Sequence, residues 1–298
     1  MATAKIKKRE LRYGVGSGML LAADAWGGPD GPPVLLLHGG GQTRHAWGKT
    51  GEALAAAGFY AISLDLRGHG DSTWASDGDY SVDAYARDLH GVCQTLDDPP
   101  ALVGASLGGM ISLVYAGEQY RGLAKAVVLV DITPRITAEG VDRVLAFMTA
   151  NPDGFETLED AARVVSKYLP HRAPPTDLSG LEKNLRRGED GRWRWHWDPA
   201  FVENTARRRQ QPGQPTRLLD AARRIDVPSL LVRGRMSEVV SEENVREFLE
   251  LVPHAEYVDV ADAAHMVAGD RNDAFSDAVV EFLSRTAAPP AVAAQVGR

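Results

Sequence analysis

Short, largely apolar runs recur along this chain with helix-length stretches between them, and that alternation leaves few architectures open. Val-Leu-Leu-Leu at 34–37 follows the breakers Gly31, Pro32 and Pro33. Tyr-Ala-Ile-Ser-Leu at 60–64, Ala-Leu-Val at 101–103 and Ala-Val-Val-Leu-Val at 126–130 continue the series, as do Leu-Leu-Val at 230–232 and Tyr-Val-Asp-Val at 257–260. Continuous apolar strands of this length fit a parallel sheet covered on both faces. Between them, Ser81 is placed to cap a helix whose apolar face carries Val82, Tyr85, Leu89, Val92 and Leu96. Ser241 stands before Glu242 and Glu243 in the same way, with Val245, Phe248, Leu249 and Val252 at helical spacing. The pattern predicts an α/β fold with a doubly wound, mostly parallel sheet. Residues 10–26 read as an antiparallel hairpin added to it.

The alternation stops between about residues 135 and 224, where the pattern is helical and polar and punctuated by Pro170, Pro174, Pro175, Pro212 and Pro215. This predicts a core formed by 1–135 and 216–286, interrupted by a helical cap over 136–215. The Ala- and Pro-rich tail, 287–298, is expected to be disordered.

Composition narrows the function class. The net charge is −7, from 33 basic and 40 acidic residues. A phosphate-binding surface needs the opposite balance, so nucleic acid is not an expected partner. Cys93 is the only cysteine, which excludes an intrachain disulfide and gives no sign of an oxidising compartment. No apolar stretch approaches the roughly 18 residues that span a bilayer, and no apolar segment follows the basic residues at the N-terminus. These features predict a soluble cytoplasmic protein acting on a small molecule. Its oligomeric state is left open.

Gly104-Ala105-Ser106-Leu107-Gly108-Gly109 carries the sharpest chemical signal. It lies between an apolar run and a helix-like stretch, the setting of a nucleophile elbow. Such a turn strains the backbone of the nucleophile and needs small neighbours, which Gly104 and Gly108 supply. It would raise the Ser106 hydroxyl above the sheet and bring the Leu107 amide to a developing oxyanion. His38-Gly39-Gly40-Gly41-Gln42 follows the first apolar run, and an amide from it would complete that hole. Gly40 is the first choice of donor and Gly41 the second, with His38 read as structural. Asp65 to Ser72 reads as a turn held by Arg and Asp side chains.

A serine nucleophile needs a base, and the base needs an orienting acid. Of eight histidines, His265 stands just past the last strand, at the carboxyl edge where open α/β sheets bind ligands. Glu238, after the run at 230–232, is the expected acid. Asp131, after the run at 126–130, is the alternative. Trp195 and Trp197 could line a substrate pocket or pack the cap, and packing is the favoured reading. No His and Cys cluster has zinc spacing, and no glycine-rich loop has the form that binds a nucleotide, so neither metal nor cofactor is expected.

Together His38-Gly39, Arg67-Gly68-His69-Gly70, Gly104-Ala105-Ser106-Leu107-Gly108, Arg233-Gly234 and His265-Met266 resemble the α/β-hydrolase superfamily, over about residues 10–286. More narrowly they are similar to its epoxide-hydrolase-like and haloperoxidase-like esterases with a helical cap. Ser106 stands where epoxide hydrolases and haloalkane dehalogenases carry Asp, which disfavours alkyl-enzyme chemistry. Ala264 precedes the histidine where many relatives have glycine. The resemblance implies a serine esterase. Carbon–carbon bond or lactone hydrolysis by the same triad is the alternative within enzymes, and a hydrolase-fold ligand receptor with little turnover is the alternative outside them.

Overall fold

In a computed structural model the chain is described for residues 6–170, 177–209, 214–261, 263–265 and 272–288. The tail expected to be disordered lies outside these residues from 289 onward. The chain opens with a hairpin of β1 (Arg9–Gly14) and β2 (Leu20–Trp26). It then alternates through β3 (Pro33–Leu37), α1 (Gly48–Ala56), β4 (Tyr60–Leu64), α2 (Val82–Cys93), β5 (Ala101–Ala105), α3 (Leu107–Val114) and β6 (Ala126–Val130). After a long insertion come α8 (Gln214–Arg223), β9 (Ser229–Gly234), α9 (Glu242–Leu251), β10 (Glu256–Val260) and α10 (Asn272–Thr286). Eight strands form one sheet in the order β1-β2-β4-β3-β5-β6-β9-β10. The hairpin joins antiparallel through β2 and β4, and every pair from β4 to β10 is parallel.

The two faces of the sheet explain the unbroken apolar runs. Leu35, Leu37, Ile62, Leu64, Leu102, Val127, Leu129 and Leu231 pack on one side with Tyr85 and Leu89 of α2, Ile111 of α3 and Phe248 of α9. Val34, Leu36, Ala61, Val103, Val128, Leu230 and Val232 pack on the other with Leu54 of α1 and Phe275, Val279 and Phe282 of α10. Alternate residues point to opposite faces and both faces are dry, so neither can be polar. Burying each Leu or Val side chain contributes about 1.5–3 kcal/mol. Ser81 and Ser241 cap α2 and α9 by accepting from the amides of Ala84 and Asn244.

Between β6 and β9 lie α4 (Ala138–Thr149), α5 (Leu158–Tyr168), α6 (Ser179–Glu182) and α7 (Pro199–Arg209), together with two short strands, β7 (Leu185–Arg187) and β8 (Trp193–Trp195). The strands are a departure from a purely helical expectation. They pair antiparallel, and Phe155 adds an isolated bridge to Trp193 with backbone bonds of 2.7 and 2.8 Å. With only three residues each, Leu-Arg-Arg and Trp-Arg-Trp, they are too short to show a strand period. The hairpin is stitched to the loop after β4. Gly70 donates to His196 O at 2.8 Å, Asp198 donates to Gly68 O at 2.8 Å, and the Arg186 guanidinium donates to Gly70 O at 2.7 Å. No described helix is long and apolar enough to cross a membrane.

A buried ion network fixes the front of the sheet. The Arg44 guanidinium, 6% exposed, reaches Asp24 on β2 at 3.1 Å, Asp71 at 2.8 Å and Asp65 at the end of β4. Asp65 also accepts from the Arg44 and Asp71 amides at 2.6 and 2.9 Å. Arg44 is the cation all three carboxylates share, and without it the fully buried Asp65 keeps only the amide donors. Arg44→Met is therefore expected to cost about 3–5 kcal/mol and to lower Tm by roughly 10 °C in calorimetry. Burial alone would raise the pKa of Asp24, but hydrogen bonds from His45 and Lys8 and the charge of Arg44 hold it well below the usual carboxylate range. A depressed native pKa gives stability that is full above the unfolded value, about 3.9, and lost as pH falls through the native one. Urea unfolding should show stability falling below about pH 4, and Asp24→Asn should make that fall shallower.

Candidate active site

The carboxyl ends of the central strands converge on one cavity of about 670 Å³, lined by Gly39, Gly40, Gly41, Ser106, Leu107 and His265 from the core. Its outer wall comes from the insertion and includes Val144, Phe147, Met148, Trp195, Trp197 and Phe201. Ser106 is the single residue between β5 and α3, with φ 46° and ψ −109°. That left-handed conformation strains any residue but glycine. It is held because the Ser106 amide donates to Val130 O at 3.2 Å and the Gly108 amide to His38 O at 3.2 Å. A Cβ on Gly108 would strike the backbone of Leu37, and one on Gly104 would strike the backbone of Gly108. The glycines flanking Ser106 thus let strand, turn and helix press together.

His265 lies past β10, and its neighbours Asp262 and Met266 are outside the described residues. Its Nδ1 meets Asp131 Oδ2 at 2.7 Å. Asp131 is fully buried at the end of β6 and is itself at positive φ, 49°. Its carboxylate also accepts from Ser237 Oγ at 2.5 Å and from the Gly234 amide at 3.1 Å. Donors on both oxygens are what make a buried carboxylate tolerable. Glu238, the expected acid, is not beside the imidazole. It pairs with Arg143 of α4 at 3.2 Å and is about a third exposed. The physical reason lies in the loop after β9. Ser237 turns back to Asp131 while also accepting from the Val239 and Val240 amides, and this carries Glu238 outward to the arginine. The place beside His265 is filled from β6, the position of the alternative acid.

The glycine loop is also more specific than its sequence. The Gly41 amide donates to His69 Nε2 at 3.1 Å, and the Gly39 amide to Gln42 Oε1 at 2.9 Å. Among the described residues the amides of Gly40 and Leu107 have no acceptor, so Gly41, the second choice of donor, is already committed. His69 can accept at Nε2 only if its proton sits on Nδ1, which donates to Arg67 O at 3.0 Å. His38 repeats the arrangement, with Nδ1 against Gly39 O at 2.7 Å and Nε2 accepting from the Leu66 amide at 3.0 Å. Burial pushes His38 down to about 4, and burial with the neighbouring His38 pushes His69 down to about 3. Both stay neutral at ordinary pH, as their acceptor roles require. Trp195 and Trp197 stack with ring centroids 5.0 Å apart and 9° between planes, and both line the cavity. Ser237 and the Gly234 amide carry no functional signal of their own in the sequence, where Gly234 stands only in the Arg233-Gly234 motif. In the structure a Cβ on Gly234 would strike the carbonyls of Ala263 and Ala264. Among the described residues no group of three His, Cys, Asp or Glu side chains could hold a metal ion.

Comparison with known proteins identifies the family. The chain is 30% identical over 269 residues to an esterase of Mycobacterium tuberculosis, covering 87% of this chain and 85% of that one. It is 34% identical over 213 residues to 2-(acetamidomethylene)succinate hydrolase of Mesorhizobium japonicum, covering 70% and 73%. The crystal structure of E-2-(acetamidomethylene)succinate hydrolase superposes with a TM-score of 0.81 at 28% identity, over 93% of this chain and 99% of that one. Residues 32–271 match the family described as the alpha/beta hydrolase fold, and the chain belongs to that family of hydrolytic enzymes.

Proposed function

We propose that the protein is a serine hydrolase of carboxylic esters, with Ser106 as nucleophile, His265 as general base and Asp131 as the orienting acid. The observation that carries this reading is the 2.7 Å contact of His265 with buried Asp131, on a cavity shared with a strained Ser106. Asp131 holds the imidazole proton on Nδ1, which leaves Nε2 free to take the Ser106 proton. Ser106 Oγ attacks the ester carbonyl, and the oxyanion is received by the amides of Gly40 and Leu107. The helix beginning at Leu107 adds its positive end. The imidazolium gives its proton to the leaving alcohol, and water then cleaves the acyl-enzyme by the same route.

Residues 136–215 act in this reading as a cap that selects substrate. Their cavity wall is largely apolar, and Lys183 at the exposed rim is the only Lys or Arg lining it among the described residues. That favours an ester with an apolar acyl or alcohol part over a dicarboxylate such as a succinate derivative. The reading also gives Trp195 and Trp197 a part in substrate contact beyond packing.

Release of nitrophenol from 4-nitrophenyl esters tests the reaction. Ser106→Ala should lower kcat by about 10³-fold or more, and a fluorophosphonate should label the unmodified protein at Ser106. A protein that binds esters without turning them over would instead be a receptor. Asp131→Asn keeps the shape but favours the wrong tautomer, a change worth about 10⁴-fold in a comparable triad. Glu238→Gln should cost far less, because it loses an ion pair with Arg143 and no contact with His265. The reverse order in kcat at saturating substrate would return the role to Glu238. Trp197→Ala should move the preference toward bulkier acyl chains across an ester panel. A uniform loss with a lowered Tm would leave Trp197 as packing alone.

A further inference from the structure

His265 belongs to the walls of two cavities. The larger contains Ser106 and the apolar wall of the insertion. The smaller, about 160 Å³, is lined by Arg143, Tyr168, Met236, Glu238, Ala264 and His265, and does not include Ser106. Tyr168, Leu169 and His265 are common to both linings, so the imidazole stands in the partition between an apolar chamber and a charged one. The charged chamber is built rather than incidental. The Arg143 guanidinium pairs with Glu238 at 3.2 Å, donates to Tyr168 O at 3.0 Å and lies 5.6 Å over the Tyr168 ring. Thr137, just before α4, donates its amide to Val239 O at 2.9 Å and its hydroxyl to Glu238 O. These bonds tie the insertion to the loop after β9 beside the chamber.

We propose that the smaller cavity stores and delivers the hydrolytic water to His265 during deacylation, an inference that rests on Ser106 being the acylated nucleophile. An apolar acyl group in the larger cavity displaces water from it. A confined water needs two to four polar partners. The Arg143 guanidinium and Glu238 carboxylate supply them in a space with room for several waters. In the step itself a water passes from the smaller cavity to the Ser106 side of the imidazole, its oxygen bonds to the acyl carbon, and His265 Nε2 takes its proton. The tetrahedral adduct then collapses, the bond from carbon to Ser106 Oγ breaks, and Oγ recovers the proton from His265. The products are the carboxylic acid and the free serine. Placing water behind the base also keeps it out of the acylation step, where the alcohol portion of the ester occupies the larger cavity.

Met236 is 46% exposed and lines the smaller cavity alone, so Met236→Trp fills that space with little demand on the fold. Octanoyl- and acetyl-enzymes made from 4-nitrophenyl esters can be followed by rapid quench and intact-protein mass spectrometry. Deacylation of the octanoyl-enzyme is expected to slow about tenfold, with the nitrophenol burst unchanged within about twofold. The acetyl-enzyme, whose short chain leaves the larger cavity open to water, should be slowed less. Arg143→Met removes a polar partner without filling the space and should move deacylation in the same direction. Unchanged deacylation in both variants overturns the proposal. So does a parallel loss of burst and deacylation, or equal slowing of both acyl-enzymes, since either places the effect on His265 itself. If the unmodified protein forms no acyl adduct and takes no fluorophosphonate at Ser106, the serine reading fails, and this inference fails with it.

Discussion

Ser106 keeps a backbone conformation that a free peptide avoids, and the parts of the site are arranged around the packing that enforces it. One residue turns the chain from β5 into α3, which costs on the order of 1–3 kcal/mol of local strain. The cost is met by neighbours that leave no room for relaxation. The Ser106 amide is held by Val130 O at the end of β6, and the Gly108 amide by His38 O just past β3. The turn is therefore wedged between the ends of the two strands that flank β5 in the sheet. Those same strand ends carry Asp131 on one side and the glycine loop on the other. The proposed acid and the proposed oxyanion amides are thus placed by the packing that strains the serine.

Histidines show how environment separates roles that residue type does not. His38 and His69 are both fully buried, their rings 5.0 Å apart, and both use one nitrogen to accept from a backbone amide. A protonated ring could not do this, and burial away from any carboxylate contact keeps them neutral. They act as fixed connectors between the glycine loop and the loop after β4. His265 faces a carboxylate instead and lines a cavity, where a change of proton can be coupled to chemistry. His196, in the insertion, is likewise pushed down to about 4 by burial and by the charge of Arg186, but among the described residues its buried Nε2 accepts no hydrogen bond.

The parallel sheet was legible because both its faces are dry, so the strands from β3 to β6 read as apolar runs broken in β4 only by the buried Ser63. The positions of Ser106 and His265 were legible because a strained turn needs glycines and because the last strand ends at the carboxyl edge just before His265. The carboxylate that meets His265 was not. Asp131 and Glu238 both follow strands that end beside the site, and β6 and β9 are neighbours. The choice depends on three distant contacts: Ser237 turning toward Asp131, the Gly234 amide pointing to it, and Arg143 drawing Glu238 away. None has a spacing that one strand or helix would reveal. The commitment of Gly41 to His69 is hidden for the same reason, since 28 residues separate donor and acceptor. The hairpin of β7 and β8 escaped because its stability comes from aromatic packing and from bonds to another loop, with almost no local pattern.

That hairpin also determines how the insertion can act on a substrate. Its bonds run to Gly68 and Gly70, within the loop whose Asp65 and Asp71 share Arg44 and whose His69 holds Gly41. The wall formed by Trp195 and Trp197 is consequently continuous, through hydrogen bonds, with the loop that presents Gly40. Moving that wall would break bonds to the loop that holds the glycine loop through His69, so this part of the insertion cannot swing aside independently of that loop. On the opposite side the insertion is joined to the core by Thr137 and by the pair of Arg143 with Glu238, both in the loop after β9 that also holds Asp131 through Ser237. These two sets of bonds end on loops tied in turn to groups that the proposed reaction uses, through His69 to the glycine loop and through Ser237 to Asp131. Shape selection by the aromatic wall and alignment of Ser106, His265 and Asp131 are then properties of one connected framework.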